Sequence, residues 1–422
     1  MVPAQTNGPP GWCAMRKLGA IFLLLFLLKV LLIGVDNFIG RFALPALIMM
    51  LVFGMLLFSR SAVVSLDGLG FVRPTLLMLT VFLVSAICGV VMGMPVQDAA
   101  TACLRAFTMA LVLIGAYLST LYGLQKMAEV VLLAAVVIHV GAALVLYPFG
   151  VGEEVGGYFR PSGIAGSTQL VANIAAFGVV LYAARLMCGG KNDRTVAIIV
   201  IALSATFVVV GLTLKNFIAV SAIVFLMVWR NQSRHRVLIS IAGVMILAAT
   251  ATYALVALPI GERLAEVAQG GVDLDVVQGD KLESSLMWRL LHWSLLVQDW
   301  YDRFLVTGAG FGQVQNMRGL KTYFGDGYIA HSDWVGLFVE LGPVLFVVFA
   351  LSLARIYGVA KSAAVAGHLE YQGVRYSLLL FILMALAGNV FYSVAFAYLF
   401  WFALGLVAAR VQQRVMAPEC AT

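Results

Sequence analysis

Long apolar runs recur along the whole chain, and they constrain its fold more than any other feature. Most are about 17 to 22 residues long, the length that an α-helix needs to cross the hydrocarbon core of a bilayer. They do not alternate apolar with polar residues, as the strands of a membrane β-barrel would. With 62% hydrophobic and 11% charged residues, the composition also departs from that of soluble domains. The sequence therefore predicts an all-α, polytopic membrane protein.

About twelve of these runs have the length and apolar character of transmembrane helices. The predicted spans are 18–35, 42–58, 75–94, 102–122, 128–149, a run that ends near Cys188, 195–213, 217–229, 237–258, 334–354, 376–387 and 394–409. The chain is thus expected to consist of a disordered cytoplasmic N-terminus (1–17), transmembrane helices 1–9 (18–258), a periplasmic helical loop (259–333), transmembrane helices 10–12 (334–409) and a cytoplasmic tail (410–422).

The distribution of lysine and arginine predicts the orientation in the membrane. The short turns on one side hold only Arg41, Arg105, Arg160 and Lys215, whereas the segments on the other side hold most of the remaining basic residues. Because positively charged loops stay in the cytoplasm, the richer side is predicted to be cytoplasmic. Loop 259–333 then faces outwards, which in a bacterial inner membrane is the periplasm.

Several classes of site are disfavoured by the sequence. The five cysteines are odd in number and scattered, so they suggest neither a disulfide framework nor a metal site. No basic tract with interleaved aromatic residues indicates nucleic-acid binding. The GAGFG segment (308–312) lacks the strand-to-helix context of a dinucleotide fingerprint, and its glycines instead suit close approach of the backbone to other backbone or to a ligand. No cofactor or metal is expected.

Four residues from distant parts of the chain are predicted to lie at the outer membrane face: Arg160, Lys215, Arg289 and His331. Arginine can donate two parallel hydrogen bonds to phosphate oxygens, so such a group suits a polyanionic headgroup. Trp293, one helical turn after Arg289, would share its face of the helix. The alternative is that each basic side chain simply extends to the interface.

His331 is the sharpest candidate for acid–base chemistry. It stands where an apolar helix is predicted to begin, and a neutral imidazole can accept a proton near neutral pH. The alternative is a capping or packing histidine. Glu340, nine residues later, lies at membrane depth, where a carboxylate usually has a partner, and it is expected to support the helix packing rather than to react.

Several motifs together resemble the O-antigen ligase and polymerase superfamily of bacterial envelopes. They are RPSGIAGSTQLVAN (160–173), the turn at Lys215, MWRLLHW (287–293), GAGFGQ (308–313) and HSDWVGLFVELGPV (331–344). The resemblance covers most of the chain from the fifth predicted helix onward. It implies a GT-C-like membrane glycosyltransferase that needs no metal.

By this resemblance, an O-antigen ligase would transfer a glycan from undecaprenyl diphosphate to a hydroxyl of the lipid A-core oligosaccharide, with inversion. His331 would be the general base, and Arg160, Lys215 and Arg289 would bind the diphosphate. The residues Trp293, Glu340, Asn216 and Gln169 would support them. Where the family usually has a Ser-Arg pair, this chain has Leu214, Lys215 and Asn216, and lysine keeps the charge without the bidentate fork.

Two other functions remain open at the level of sequence. An O-antigen polymerase of the same superfamily would use the same motifs, with another lipid-linked glycan as its acceptor. A transporter or flippase for an anionic lipid would use the same cations for binding without breaking a bond. The large single loop late in the chain argues against the symmetric halves of a transporter.

Overall fold

A computed structural model describes residues 12–32, 70–111, 124–155, 158–188, 191–211, 213–229, 285–317, 330–365 and 371–416. These ranges contain the helices α1 (Trp12–Leu31), α2 (Val72–Val91), α3 (Val96–Ala106), α4 (Gln125–Leu146), α5 (Thr168–Cys188), α6 (Lys191–Val210), α7 (Leu214–Trp229), α8 (Ser285–Arg303), α9 (Asp333–Val365), α10 (Tyr371–Leu386) and α11 (Val394–Met416). One antiparallel hairpin joins β1 (Gly152–Val155) to β2 (Tyr158–Pro161).

Four of the described helices are long and apolar enough to cross a membrane, namely Val72–Val91, Gln125–Phe149, Thr168–Met187 and Asp333–Val365. Four shorter apolar helices accompany them: Arg194–Val210, Leu214–Trp229, Tyr371–Leu386 and Ala395–Val407. The mostly helical architecture and the apolar helices agree with the predicted class of helical membrane protein. The predicted spans 42–58 and 237–258 lie outside the described residues.

Several element bounds differ from the expectations. The first helix begins at Trp12, although residues 1–17 were expected to be disordered. Lys215 and Asn216 were placed in a turn but belong to the first turn of α7. The tenth predicted span was expected to end at 354, yet α9 continues to Val365. Helix-forming residues around each apolar run extend these helices beyond the strictly apolar segment.

Helix α5 is the centre of the described core. It packs against α4, α6, α7, α10 and α11, and every residue from Val171 to Tyr182 except Gly178 and the polar Asn173 is an apolar side chain buried in the core. A helix that is apolar on all sides is one that other helices surround. The first turn of α5 and the hairpin before it are therefore held at one end of the bundle.

Helix α9 is broken at Gly342, which has φ 69° and ψ 170° and precedes Pro343. Because Pro343 has no N–H, the carbonyl of Val339 loses its helical donor and instead accepts a hydrogen bond from Ala309 N at 2.9 Å. The carbonyl of Glu340 accepts bonds from Gly310 N at 3.0 Å and from Ser85 Oγ at 2.9 Å. The glycine loop thus satisfies the carbonyls that the break exposes, as an apolar environment requires.

The contact between the loop and the break depends on glycine. Gly308 has φ 72°, and a Cβ placed on it would overlap the backbone of Leu341 and Gly342. Gly310 has φ 94° and lies against the backbone of Gly89 in α2. The interpretation of GAGFG as a segment for close backbone approach is confirmed.

We expect Gly308→Ala to lower the thermal stability of the protein in detergent by several degrees. The left-handed backbone alone costs an alanine about 1–2 kcal/mol, and the overlap with the α9 backbone adds to this. Gly358→Ala is the matched control, because Gly358 lies in α9, the helix that the loop contacts, and a Cβ there meets nothing within 4 Å. Equal melting temperatures for the two variants would contradict this account of the loop.

Candidate active site at the start of the broken helix

The residues that begin α9 are held by a dense set of hydrogen bonds. Ser332 Oγ caps the helix by accepting a bond from Val335 N at 3.4 Å. The Oδ2 atom of Asp333 accepts bonds from Val390 N at 2.6 Å and Phe391 N at 2.7 Å, and Asp333 N donates to Gly388 O at 3.1 Å. The start of α9 is therefore fixed to the turn between α10 and α11 (387–393).

His331 immediately precedes this fixed segment and has a strained backbone. Its φ is 50°, the one positive φ of a residue other than glycine within the described ranges. Such conformations persist where the surroundings impose them, and they concentrate at functional sites. The hydrogen bonds of Ser332 and Asp333 on one side, and of Ala330 on the other, supply that constraint.

Helix α8 brings Arg289, His292 and Trp293 to the same place. Trp293 Nε1 donates a hydrogen bond to Ala330 O at 2.7 Å, which ties α8 to the residue before His331. The imidazole rings of His292 and His331 lie with their centroids 6.1 Å apart. Arg289, one turn before these residues on α8, interacts electrostatically with His331.

Lys215 reaches this site from the first turn of α7. A Cβ at Gly388 would overlap its ammonium group, so Lys215 lies against the turn that also binds Asp333. The Lys215 nitrogen is buried and donates no hydrogen bond to any described residue. It interacts electrostatically with Asp333 and with Arg289. Lys215, Arg289 and His331 are called the cationic cluster below.

Burial and the two neighbouring cations hold the His331 imidazole in its neutral form. Burial, followed by the charges of Arg289 and Lys215, lowers the pKa of His331 to about 4. Burial also lowers the pKa of His292 to about 4, with His331 as the second cause. At neutral pH both rings are uncharged, so the net positive charge of the cluster comes from Arg289 and Lys215.

Glu340 lies on α9 two turns beyond Asp333 and takes part in packing. Its carboxylate accepts hydrogen bonds from Tyr392 Oη and from Val314 N, the latter at 3.0 Å. These bonds join the broken helix, the turn 387–393 and the segment after the glycine loop. A buried carboxylate with these partners supports the site from behind, in keeping with the role expected from the sequence.

The other predicted site residues are placed in different ways. Asn216 Nδ2 donates to Asn173 Oδ1 at 3.0 Å, which joins α7 to α5 just behind Lys215. Gln169 is exposed on the first turn of α5. Arg160 is a buried residue of β2, opposite Glu153 in the hairpin, and this part of the chain packs against α4 and α5. The structure therefore brings Lys215, Arg289 and His331 together, and places Arg160 on a separate element.

Three residues of this site were not assigned by the sequence interpretation. His292 follows Arg289 by three positions, a spacing that places two side chains on one face of a helix. Asp333 of α9 binds the turn 387–393, and Tyr392 of that turn binds Glu340 of α9; only the tertiary structure shows that the turn lies beside α9. The spacing signal for His292 was present, whereas no local pattern indicates the other two.

Among the residues described, no three histidine, cysteine, aspartate or glutamate side chains gather closely enough to hold a metal ion. No protein-family model matches the chain, and no curated protein matches it. The class that the fold and the site define is a mostly helical protein with apolar helices of membrane length. Its distinguishing feature is the cationic cluster, which includes the neutral His331, at the start of a broken helix.

Proposed function

We propose that the chain is an O-antigen ligase-like glycosyltransferase of the bacterial inner membrane, with its active site on the periplasmic side. Its donor is a glycan linked to undecaprenyl diphosphate, and its acceptor is a hydroxyl of the lipid A-core oligosaccharide. The proposal includes a GT-C-like arrangement of about twelve spans with a periplasmic loop. It rests on the sequence resemblance and on the chemistry of the cationic cluster.

One observation carries the proposal: two cations and a neutral imidazole meet at one point, from helices α7 and α8 and from the start of α9. The Lys215 ammonium group is buried without a hydrogen-bond acceptor among the described residues. The Asp333 carboxyl interacts with it electrostatically but accepts no hydrogen bond from it, and a diphosphate supplies several acceptor oxygens. The neutral His331 beside them can accept a proton.

The reaction needs a proton acceptor and a site for the negative charge of the diphosphate in adjacent positions. The oxygen of an acceptor hydroxyl attacks the anomeric carbon of the donor, and its proton passes to an imidazole nitrogen of His331. The bond between the anomeric carbon and the diphosphate oxygen breaks, and the diphosphate leaves with the electron pair. Arg289 and Lys215 stabilise the negative charge that develops on it. Attack from the face opposite the leaving group inverts the anomeric centre.

The proposal predicts an unusual pH dependence. A base is active above its pKa, so kcat/KM for the donor, which reports the free enzyme, should stay constant down to about pH 5 and fall around pH 4. A bound diphosphate neutralises Arg289 and Lys215 and favours the imidazolium, so the acidic limb of kcat should lie at higher pH. Initial rates at low and at saturating donor measure both limbs. A kcat/KM limb at or above pH 6.5 would contradict the role of the cluster.

The function itself is tested with purified protein in liposomes, a lipid-linked glycan donor and a lipid A-core acceptor. The expected product is the glycosylated acceptor, resolved by gel electrophoresis and mass spectrometry. Elongated lipid-linked glycan would instead indicate a polymerase. Movement of the donor across the bilayer without any bond formation would indicate a flippase. Absence of both products would refute the assignment as a glycosyltransferase.

A further inference from the structure

A cavity lies away from the cationic cluster, at the far end of α8. It has a volume of about 180 Å³ and lies between the turn after α2 (92–95), the end of α8 and the segment after the glycine loop (313–317). Eleven residues separate His292 from Arg303 at its rim, so the cavity is roughly 16 Å along the helix from the paired imidazoles. It is therefore distinct from the site of the proposed chemistry.

The cavity has one hydrogen-bond donor whose direction is fixed by its neighbours. The Asp98 carboxylate can only accept, so the atom of Asn316 that lies 2.8 Å from it is the Nδ2 amide nitrogen. The same nitrogen donates to Gln313 Oε1 at 2.8 Å, which leaves Gln313 Nε2 as the remaining donor. Gln313 is 1% exposed, and its Nε2 has no acceptor within the described part of the chain.

A donor buried in this way destabilises the protein unless a ligand or a water accepts its hydrogen bond, and the neighbouring cavity has room for such an acceptor. The lining also includes the apolar side chains of Met92, Met94 and Phe304. The guanidinium group of Arg303 stacks over the Phe304 ring at 4.8 Å and bonds Asp299 through Nη1 at 3.4 Å. Because Asp299 offsets its charge, Arg303 contributes further N–H donors with little net charge.

A lining that combines N–H donors with apolar side chains suits a ligand with oxygen acceptors on its rim and a C–H face. A pyranose ring has this character, whereas a free phosphate has no apolar face. We propose that this cavity is a subsite for a sugar of the acceptor oligosaccharide, with Gln313 and Arg303 as its hydrogen-bond donors. This inference rests on the proposed function, and it adds where the acceptor is held relative to His331.

The test uses Gln313→Leu, which removes the Nε2 donor, together with the Oε1 acceptor of Asn316, at a similar side-chain volume. Titration of the purified protein with delipidated core oligosaccharide should show binding that is about tenfold weaker for the variant. In the transfer assay, KM for the acceptor should rise by a similar factor, while kcat and KM for the donor stay unchanged. Gln298→Leu, at an exposed position of α8 outside the cavity, is the matched control.

A second variant, Met92→Trp, fills the cavity from a partly exposed position without touching Gln313, and we expect the same selective loss. Size-exclusion profiles and melting temperatures check that the variants fold. Wild-type protein that does not bind the oligosaccharide, or variants that bind it as tightly as wild type, would overturn the subsite. Oligosaccharide binding without product formation by wild type would instead refute the glycosyltransferase and leave the binding site standing.

Discussion

His331→Ala is expected to reduce kcat for glycan transfer by about 10²- to 10⁴-fold, the range that a positioned general base contributes. The position of the His331 side chain is the reason for this expectation. The imidazole stands beside Arg289 and Lys215, on a strained backbone that the bonds of Ser332 and Asp333 maintain. The alanine variant removes the proton acceptor and keeps the positive φ, because alanine has a Cβ as histidine does and gains nothing at this backbone conformation. Single-turnover rates in liposomes measure the effect.

The matched control is His139→Gln. His139 is fully buried in α4, and its Nε2 bonds the carbonyl of Val30 at 2.8 Å, so it is a packing histidine. Its substitution should change the melting temperature and leave kcat near the wild-type value. If His331→Ala retained near-normal turnover, the proton would have to pass to another group, and the assignment of His331 as the base would be wrong.

Arg289→Ala is expected to lower kcat/KM for the donor by about 10²- to 10³-fold, the loss typical of removing one donor that stabilises developing negative charge. Arg289 interacts with both His331 and Lys215, so its loss also raises the pKa of the imidazole in the free enzyme. The acidic limb of kcat/KM should therefore move to higher pH in this variant. A steady-state pH profile records both changes in one experiment.

Arg289→Lys distinguishes charge from geometry. Lysine keeps the positive charge without the paired donors, so we expect an intermediate activity and a pH profile close to that of wild type. Arg355→Ala, at an exposed position on α9, is the control for loss of an arginine from the same protein. An Arg289→Ala variant whose rate and pH profile both match those of Arg355→Ala would remove Arg289 from the site.

The broken helix shows how far the local sequence can be interpreted. Pro343 after Gly342 indicates a break in a helix, and the glycines of GAGFG indicate close backbone contact. That these two segments meet each other, with Ala309 and Gly310 donating to the carbonyls of Val339 and Glu340, is a matter of packing between elements thirty residues apart. No pattern within either segment specifies its partner.

The site likewise combines features that local sequence indicates with features that only packing decides. The residue types at 289 and 331 indicate phosphate binding and proton transfer, because those capacities belong to the side chains themselves. The residue types do not indicate whether the imidazole is charged, because the pKa of His331 depends on burial and on two charges from other helices. The contributions of Tyr392 and Asp333 likewise follow from the position of the turn 387–393 beside α9.

The sequence by itself determined the helical class and the positions of most of the described helices, because a bilayer demands apolar runs of a set length. It also supplied the candidate site residues, since each side chain has its own reactivity. The tertiary structure alone decided which of those residues meet. It placed Lys215 with Arg289 and His331 and put Arg160 on the hairpin. It also left a donor-lined cavity beside Gln313. Contacts between distant helices depend on how their surfaces pack, and that information is distributed over the whole chain.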